Sequence, residues 1–382
     1  MDFDLPEELK VIREATRKFV DKELIPITQH MEETTKRIPP EIIAQMKEMG
    51  YFGIVTPIEY GGMGLSNVGH CLIQEELARA NLAFCMLISG NNGIGTMGIV
   101  HFGNEAQKQK YLPRMAAGEL MSCFALTEPN AGSDASAIQM KAEKKGDKYI
   151  LNGMKHFITR ADISDVFTVI AVTDKEKRQK GGFSAFIVEK DAPGFKIGKL
   201  QDSMGSDILH QCEMIFEDCE VPAENLLGKE GDGWKTAMRV LEEGRLGQGA
   251  RSCGVARRLI DLCVDHANTR VQFGKPIAAN QAIQWMLADM ATELYAMQCM
   301  TYDAAWRLDQ GDRTQARASK VKMFCTEAVG RIADRAVQIF GGMGYMREAP
   351  IESIYREVRG MRIYEGTSEI QRMIISRDVL GK

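Results

Sequence analysis

Tyr364-Glu365-Gly366-Thr367 places a carboxylate beside a tyrosine, with a glycine and a hydroxyl following at a helix start. A glutamate ahead of a helix is ordinarily solvated or capping, because its charge suits the N-terminal end of the helix dipole. In a mostly apolar pocket, desolvation disfavours its charged form and makes it a proton acceptor suited to near-neutral pH. A second stretch, Leu126-Thr127-Glu128-Pro129-Asn130-Ala131-Gly132-Ser133-Asp134, follows an apolar run. As a bare loop it needs no explanation. Its hydroxyls at Thr127 and Ser133 and its approachable backbone at Gly132 nevertheless suit a heteroaromatic ring and a phosphate-bearing chain. His156-Phe157-Ile158-Thr159 is a third candidate, with an aromatic ring and a hydroxyl among apolar positions.

Other chemistries lack their residues. Gly62-Met63-Gly64 and Gly342-Met343-Gly344 have Asn67 and Arg347 where a dinucleotide fingerprint needs its third glycine. The six histidines are scattered without metal-ligand spacing, so no metal is expected. A net charge of −4 over 382 residues gives no electrostatic reason for a nucleic-acid or membrane-surface partner. The start, from Met1 to Glu8, is acidic and polar rather than leader-like. Nine cysteines without a Cys-x-x-Cys pair read as free buried thiols in a reducing compartment. A cytoplasmic protein is expected.

The elements that must position these residues fall into three regions. Residues 1–118 read as an N-terminal helical domain: Pro6 opens a helix with Leu9, Ile12, Ala15 and Phe19 on one face, and Gly50 stops another begun at Pro40. Residues 119–228 read as a central β domain. Gly146-Asp147 turns a hairpin over 142–159, and further strands are expected over 166–173, 182–189 and 212–221. Residues 229–382 read as a C-terminal helical bundle domain, with long amphipathic stretches over 234–269, 279–309 and 315–340. The fold class is α+β.

Within that layout, segments 124–134, 269–277, 338–344 and 364–372 resemble, in order, the signatures of acyl-CoA dehydrogenases. The similarity runs along essentially the whole chain. The resemblance implies FAD as cofactor, with Phe124, Leu126, Thr127, Phe157, Ile158 and Thr159 lining the flavin ring and ribityl chain. Phe157 stands where the family usually has tryptophan. Gly132 and Ser133 are implied near the cofactor and the CoA chain. Arg270, Gln272, Phe273 and Gln281, with Gln338, Ile339, Gly341 and Gly342, match residues that reach the FAD of a neighbouring subunit. Thr367 and Glu369 approach it from their own chain. A homotetramer and electron-transferring flavoprotein as acceptor are implied with them.

Glu365 matches the family's commonest catalytic base, taking the α-proton of an acyl-CoA thioester as the β-hydride leaves for flavin N5. Some relatives carry the base just before an arginine on a helix. Here that arginine is Arg245, and Gly244 before it has no side chain. Arg245, Tyr364 and Gly366 are the substrate-side residues implied.

For the acyl group, the resemblance implies a helix over 84–96; Met86, Leu87 and Ile88, with Met97 and Tyr364, offer an apolar wall, and no Lys or Arg occurs between Asn81 and Ala106. That argues against a second substrate carboxylate. Ser89, Asn91 and Asn92 are unusual on such a helix and are candidates to touch a polar or cyclic acyl group. A short- to medium-chain, branched or alicyclic acyl-CoA is expected, with an enoyl-CoA reductase or an acyl-CoA oxidase as alternatives. Asn130, Arg160 and Asp207 depart from the family pattern, and Arg160 is expected to pair with a nearby acid.

Overall fold

Residues 4–205 and 207–381 are described by the computed structural model. Met1 to Phe3 of the acidic start, Ser206 and Lys382 lie outside the described residues. Pro6 precedes α1 (Glu7–Phe19), with Glu7 and Glu8 in its first turn where the helix dipole favours them. The inward face of α1 is Ile12, Thr16 and Phe19, while Ala15 is exposed. The chain then coils on through α2 (Ile25–His30), flanked by two π-helical stretches. Next come α3 (Pro40–Glu48), α4 (Asn67–Ala78), α5 (Leu82–Ser89), α6 (Met97–Phe102) and α7 (Glu105–Ala116). Side chains of Ser66, Asn81 and Asn104 cap α4, α5 and α7 by accepting backbone N–H groups that the first turn leaves unpaired. The helix that the resemblance implied over 84–96 is shorter than expected. It stops at Ser89, and residues 90–96, with three glycines, form turns.

The middle of the chain forms one sheet from β1 (Ser122–Ala125), β2 (Lys141–Lys145), β3 (Lys148–Thr159), β4 (Val166–Val172), β5 (Phe183–Glu189), β6 (Phe195–Gln201), β7 (Gln211–Pro222) and β8 (Leu226–Leu227). Its order is β6-β7-β3-β2-β4-β5-β8, with β1 alongside β4 in parallel. Gly146 at φ 63° makes the expected hairpin turn, pairing Lys145 with Lys148. The β1–β4 pairing fixes the origin of the Leu126 to Asp134 loop, and β3 carries Phe157 to Thr159 at its far end.

The last third is α8 (Gly233–Thr269), a short hairpin of β9 (Val271–Gln272) and β10 (Lys275–Pro276), α9 (Gln281–Asp309), α10 (Gln315–Phe340), α11 (Gly342–Tyr345), α12 (Pro350–Met361) and α13 (Ser368–Val379). At 37 residues α8 is about 55 Å long, and every residue from Arg245 to Ala256 is buried. It is the central post. One hydrophobic core joins the two helical regions across it, with Leu77, Phe84 and Leu87 packed with Leu246, Leu259 and Ala333. Among the described residues, no helix is long and apolar enough to cross a membrane. No cysteine is in a disulfide; eight are buried, and Cys299 is exposed.

Candidate active site

Glu365 lies in the turn between α12 and α13, at φ 57°. That left-handed conformation is uncommon for a residue with a side chain, and it is held from outside. The Gln371 amide donates to the carbonyls of Glu365 (3.2 Å) and Gly366 (2.9 Å), and Lys322 Nζ donates to Gly366 O at 2.7 Å. The carboxylate points at α8. Its Oε1 accepts from Gln248 Nε2 at 2.8 Å, and its Oε2 is buried without a hydrogen-bond partner. A β-carbon placed on Gly244 would lie 2.7 Å from that Oε2. The missing side chain at residue 244 is therefore the space the carboxylate uses.

The surroundings are more polar than the apolar pocket expected for a proton-accepting glutamate. Arg245 and Lys322 are both close enough to feel the Glu365 charge. Burial pushes the Arg245 guanidinium below its usual range, and Glu365 opposes that shift. Burial likewise brings Lys322 down to about 8. Among the described residues, eleven buried side-chain polar atoms lack a partner. Eight of them belong to Arg245, Gln248, Arg362, Tyr364, Glu365, Ser368 and Gln371. Buried polar groups are nearly always satisfied, so a concentration of orphans at one place marks where a ligand supplies the missing bonds.

A second set lies at the rim of the sheet. Phe157 is 60% exposed at φ 58°. It borders a cleft of ≈ 310 Å³ lined also by Lys199, Gln201, Asp202, Ser203 and Gln211. Thr127 and Thr159 are half-buried, Gly132 and Ser133 are exposed, and Phe124, Leu126 and Ile158 are buried in the β-domain cores. A third set lies at the far ends of the helices. The His266 and Phe340 rings stack at 4.1 Å, bringing the ends of α8 and α10 together. Around that junction Arg270, Gln272, Gln281, Gln338, Gly341 and Gly342 are exposed, and Phe273 is 100% exposed. Ile339 differs: its side chain packs into the helical core. Thr367 caps α13 by accepting from Ile370 N (3.4 Å), and Glu369 is exposed on its first turn.

Three sequence models match along the chain: acyl-CoA dehydrogenase N-terminal domain over residues 6–119, middle domain over 123–219 and C-terminal domain over 231–380. The chain belongs to the acyl-CoA dehydrogenase family. It is 43% identical to an acyl-CoA dehydrogenase of Bacillus subtilis, over 98% of each chain. It is 42% identical to a 3-(aryl)acrylate reductase of Clostridium sporogenes, over 98% of this chain and 99% of that one. The structure of butyryl-CoA dehydrogenase from Megasphaera elsdenii superimposes with a TM-score of 0.96 at 37% identity, covering all of both chains.

Against the family pattern, several polar residues have structural duties. Asn91 donates to Met115 O (2.9 Å) and Leu120 O (2.8 Å) and accepts from Ser122 N, leaving no free polar atom for an acyl group. Asn92 is likewise committed, donating to Tyr51 O and Ile88 O. The Ser89 hydroxyl donates to Met86 O. Among the described residues no acid forms an ion pair with Arg160; Asp162, two residues on, pairs with His210 at 2.8 Å. Arg160, buried at φ 61°, instead donates to the carbonyls of Leu87 and Ser122, tying the end of α5 to β1. Asp207 pairs with Lys36 at 3.3 Å on the surface, and Asn130 is exposed.

Sequence reasoning missed two groups. Glu128 accepts from Gln139 N (2.6 Å) and Met140 N (3.0 Å) and pairs with the fully buried Lys155 at 2.8 Å, fixing both ends of the loop after β1. The available signal was a lysine on a strand position whose alternation points inward. Gln248, the partner of the Glu365 carboxylate, gave a similar sign as an amide amid small and apolar residues on α8.

Proposed function

We propose that this family member is an FAD-dependent acyl-CoA dehydrogenase that interconverts an acyl-CoA thioester and its 2-enoyl-CoA, with Glu365 as the base at the α-carbon. The seating of the Glu365 carboxylate carries the reading, with one oxygen held and the other buried and unpartnered. Glu365 Oε2 takes the α-proton, and the Glu365 backbone N–H is the donor offered to the thioester oxygen, where negative charge develops. Bound FAD supplies the acceptor for the hydride leaving the β-carbon. The residues present fit it. Phe157 gives an uncovered ring, Thr127 and Thr159 give hydroxyls, and a β-carbon at Gly341 or Gly342 would meet no atom within 4 Å, leaving an open cradle. Arg270 and Phe273 project away from their own chain, which favours a cofactor shared between subunits of a homotetramer. The exposed Trp285, Tyr295 and Trp306 of α9 suit the same assembly.

The acyl group is short- to medium-chain, branched or alicyclic. Buried Met86, Leu87 and Ile88 on α5, together with the commitment of Asn91 and Asn92 to backbone, support an apolar wall. The reverse reaction, enoyl-CoA reduction, is a second reading favoured by the 42% identity to a 3-(aryl)acrylate reductase. Electron-transferring flavoprotein is the proposed redox partner. The test is anaerobic bleaching of the bound flavin by straight-chain, branched, alicyclic, aryl-substituted and dicarboxylic acyl-CoA thioesters, with reoxidation of the reduced protein by the matching enoyl-CoAs. Fast bleaching by one class supports the dehydrogenase reading, and fast reoxidation with slow bleaching supports the reductase. Peroxide release without an added acceptor points to an oxidase. No response to any thioester in either direction, with FAD bound, contradicts the proposal.

A further inference from the structure

We infer that Gln248 is the positioning residue for the base, holding Oε1 of Glu365 so that Oε2 alone faces the substrate α-carbon. The inference rests on the reading of Glu365 given above. Residues 244 and 248 are four apart on α8 and therefore share one face of the helix. That face is cut to the carboxylate. At residue 244 there is no side chain, and a β-carbon would lie 2.7 Å from Oε2 and 3.3 Å from the carboxyl carbon. One turn later Gln248, completely buried, donates its amide to Oε1 at 2.8 Å.

A glutamate side chain turns freely about its last bond unless one oxygen is tied. Here the tie comes from a rigid central helix, while the Glu365 backbone is fixed separately by Gln371. The two oxygens are therefore not equivalent, and only Oε2 lacks a partner. Gln248 also has chemical leverage. The bond is charge-assisted, an amide N–H meeting a carboxylate oxygen at 2.8 Å, so a substitution that removes it withdraws a donor from the charged form. In the proton-transfer step the α-carbon–hydrogen bond breaks, an O–H bond forms at Oε2, and the electron pair stays on the thioester enolate. Gln248 acts on the proton transfer through Glu365, and its own amide oxygen takes no part in that step.

The test uses the FAD-loaded enzyme and exchange of the α-protons of butyryl-CoA with solvent deuterium, followed by mass spectrometry across pH. Gln248→Leu removes the donor. Gln248→Glu keeps the shape and puts a like charge beside Oε1. In Gln248→Leu the acidic limb of the pH–rate profile is expected to move up by about one to two pH units, the worth of one hydrogen bond to a charged group. Gln248→Glu is expected to move it further in the same direction, with KM for butyryl-CoA little changed in both. Unmoved limbs in both variants would overturn the assignment, because a purely structural glutamine would alter folding or KM and leave the limb in place. Glu365→Gln separates the two claims. If the wild-type enzyme exchanges nothing, or Glu365→Gln exchanges as fast as wild type, the base reading itself fails. If Glu365→Gln is silent and the Gln248 limbs do not move, only the role of Gln248 fails.

Discussion

Among the described residues, seven other than glycine have positive φ, and four of these are Phe157, Arg160, Phe273 and Glu365. Each such residue costs of order 1–3 kcal/mol and persists where its surroundings over-determine it. For Glu365 the strain has an evident use, since it turns the side chain back onto α8 while the chain moves on into α13. Gly244 is the other half of that arrangement. Gly244→Ala is expected to leave the fold nearly intact, because the β-carbon meets the movable end of a side chain rather than backbone. The displaced carboxylate is then off its line to the α-carbon, and a shift near 1 Å can cost on the order of 100-fold in rate. Thermal melting together with anaerobic flavin-reduction kinetics checks this, and a wild-type rate would show that the carboxylate does not work from that position.

Between elements, the buried Lys155–Glu128 pair joins β3 to the loop after β1. Burial brings the Lys155 ammonium down to about 8 against the pull of Glu128. Lys155→Met leaves Glu128 buried without its counter-charge, and such losses run to about 3–5 kcal/mol. The variant should therefore melt well below wild type, and adding Glu128→Gln should recover part of the difference. Lys322 links α10 to the Glu365 turn. Its folded value of about 8 lies below the ordinary 10.5, so between those pH values the unfolded chain holds more protons than the folded one. Wild-type stability should then rise relative to Lys322→Met as pH climbs from about 8 to 10.5. A falling difference would mean that Gly366 O and Glu365 stabilise the ammonium more than burial disfavours it. Elements of this size differ in how plainly the chain announces them. The helices α8, α9 and α10 show in long unbroken periodicity, and the β2–β3 hairpin shows in its Gly146-Asp147 turn. Strand β6 does not, because Phe195–Gln201 carries two lysines and a glycine on a half-exposed edge. The Glu128–Lys155 and Gln248–Glu365 pairings are equally hidden, since the partners stand 27 and 117 residues apart and meet only in the folded chain.

At the scale of the whole molecule, a single chain holds the proposed proton-transfer centre but leaves much of its implied cofactor surface uncovered. The ends of α8 and α10, joined by the His266–Phe340 stack, present Arg270 and a fully exposed Phe273 outward. An uncovered phenylalanine is costly alone and is explained if another subunit's cofactor lies against it. Arg270→Ala should then lower FAD retention and weaken the oligomer together, read from the flavin-to-protein absorbance ratio and the mass in solution. An intact yellow tetramer would contradict the shared-cofactor arrangement. The account as a whole depends on Glu365 acting as the base. The most direct measurement is rapid anaerobic flavin reduction in Glu365→Gln, using the acyl-CoA that bleaches wild type fastest. FAD and thioester binding should persist while the reduction rate falls by at least about 100-fold; reduction at the wild-type rate would contradict the central claim.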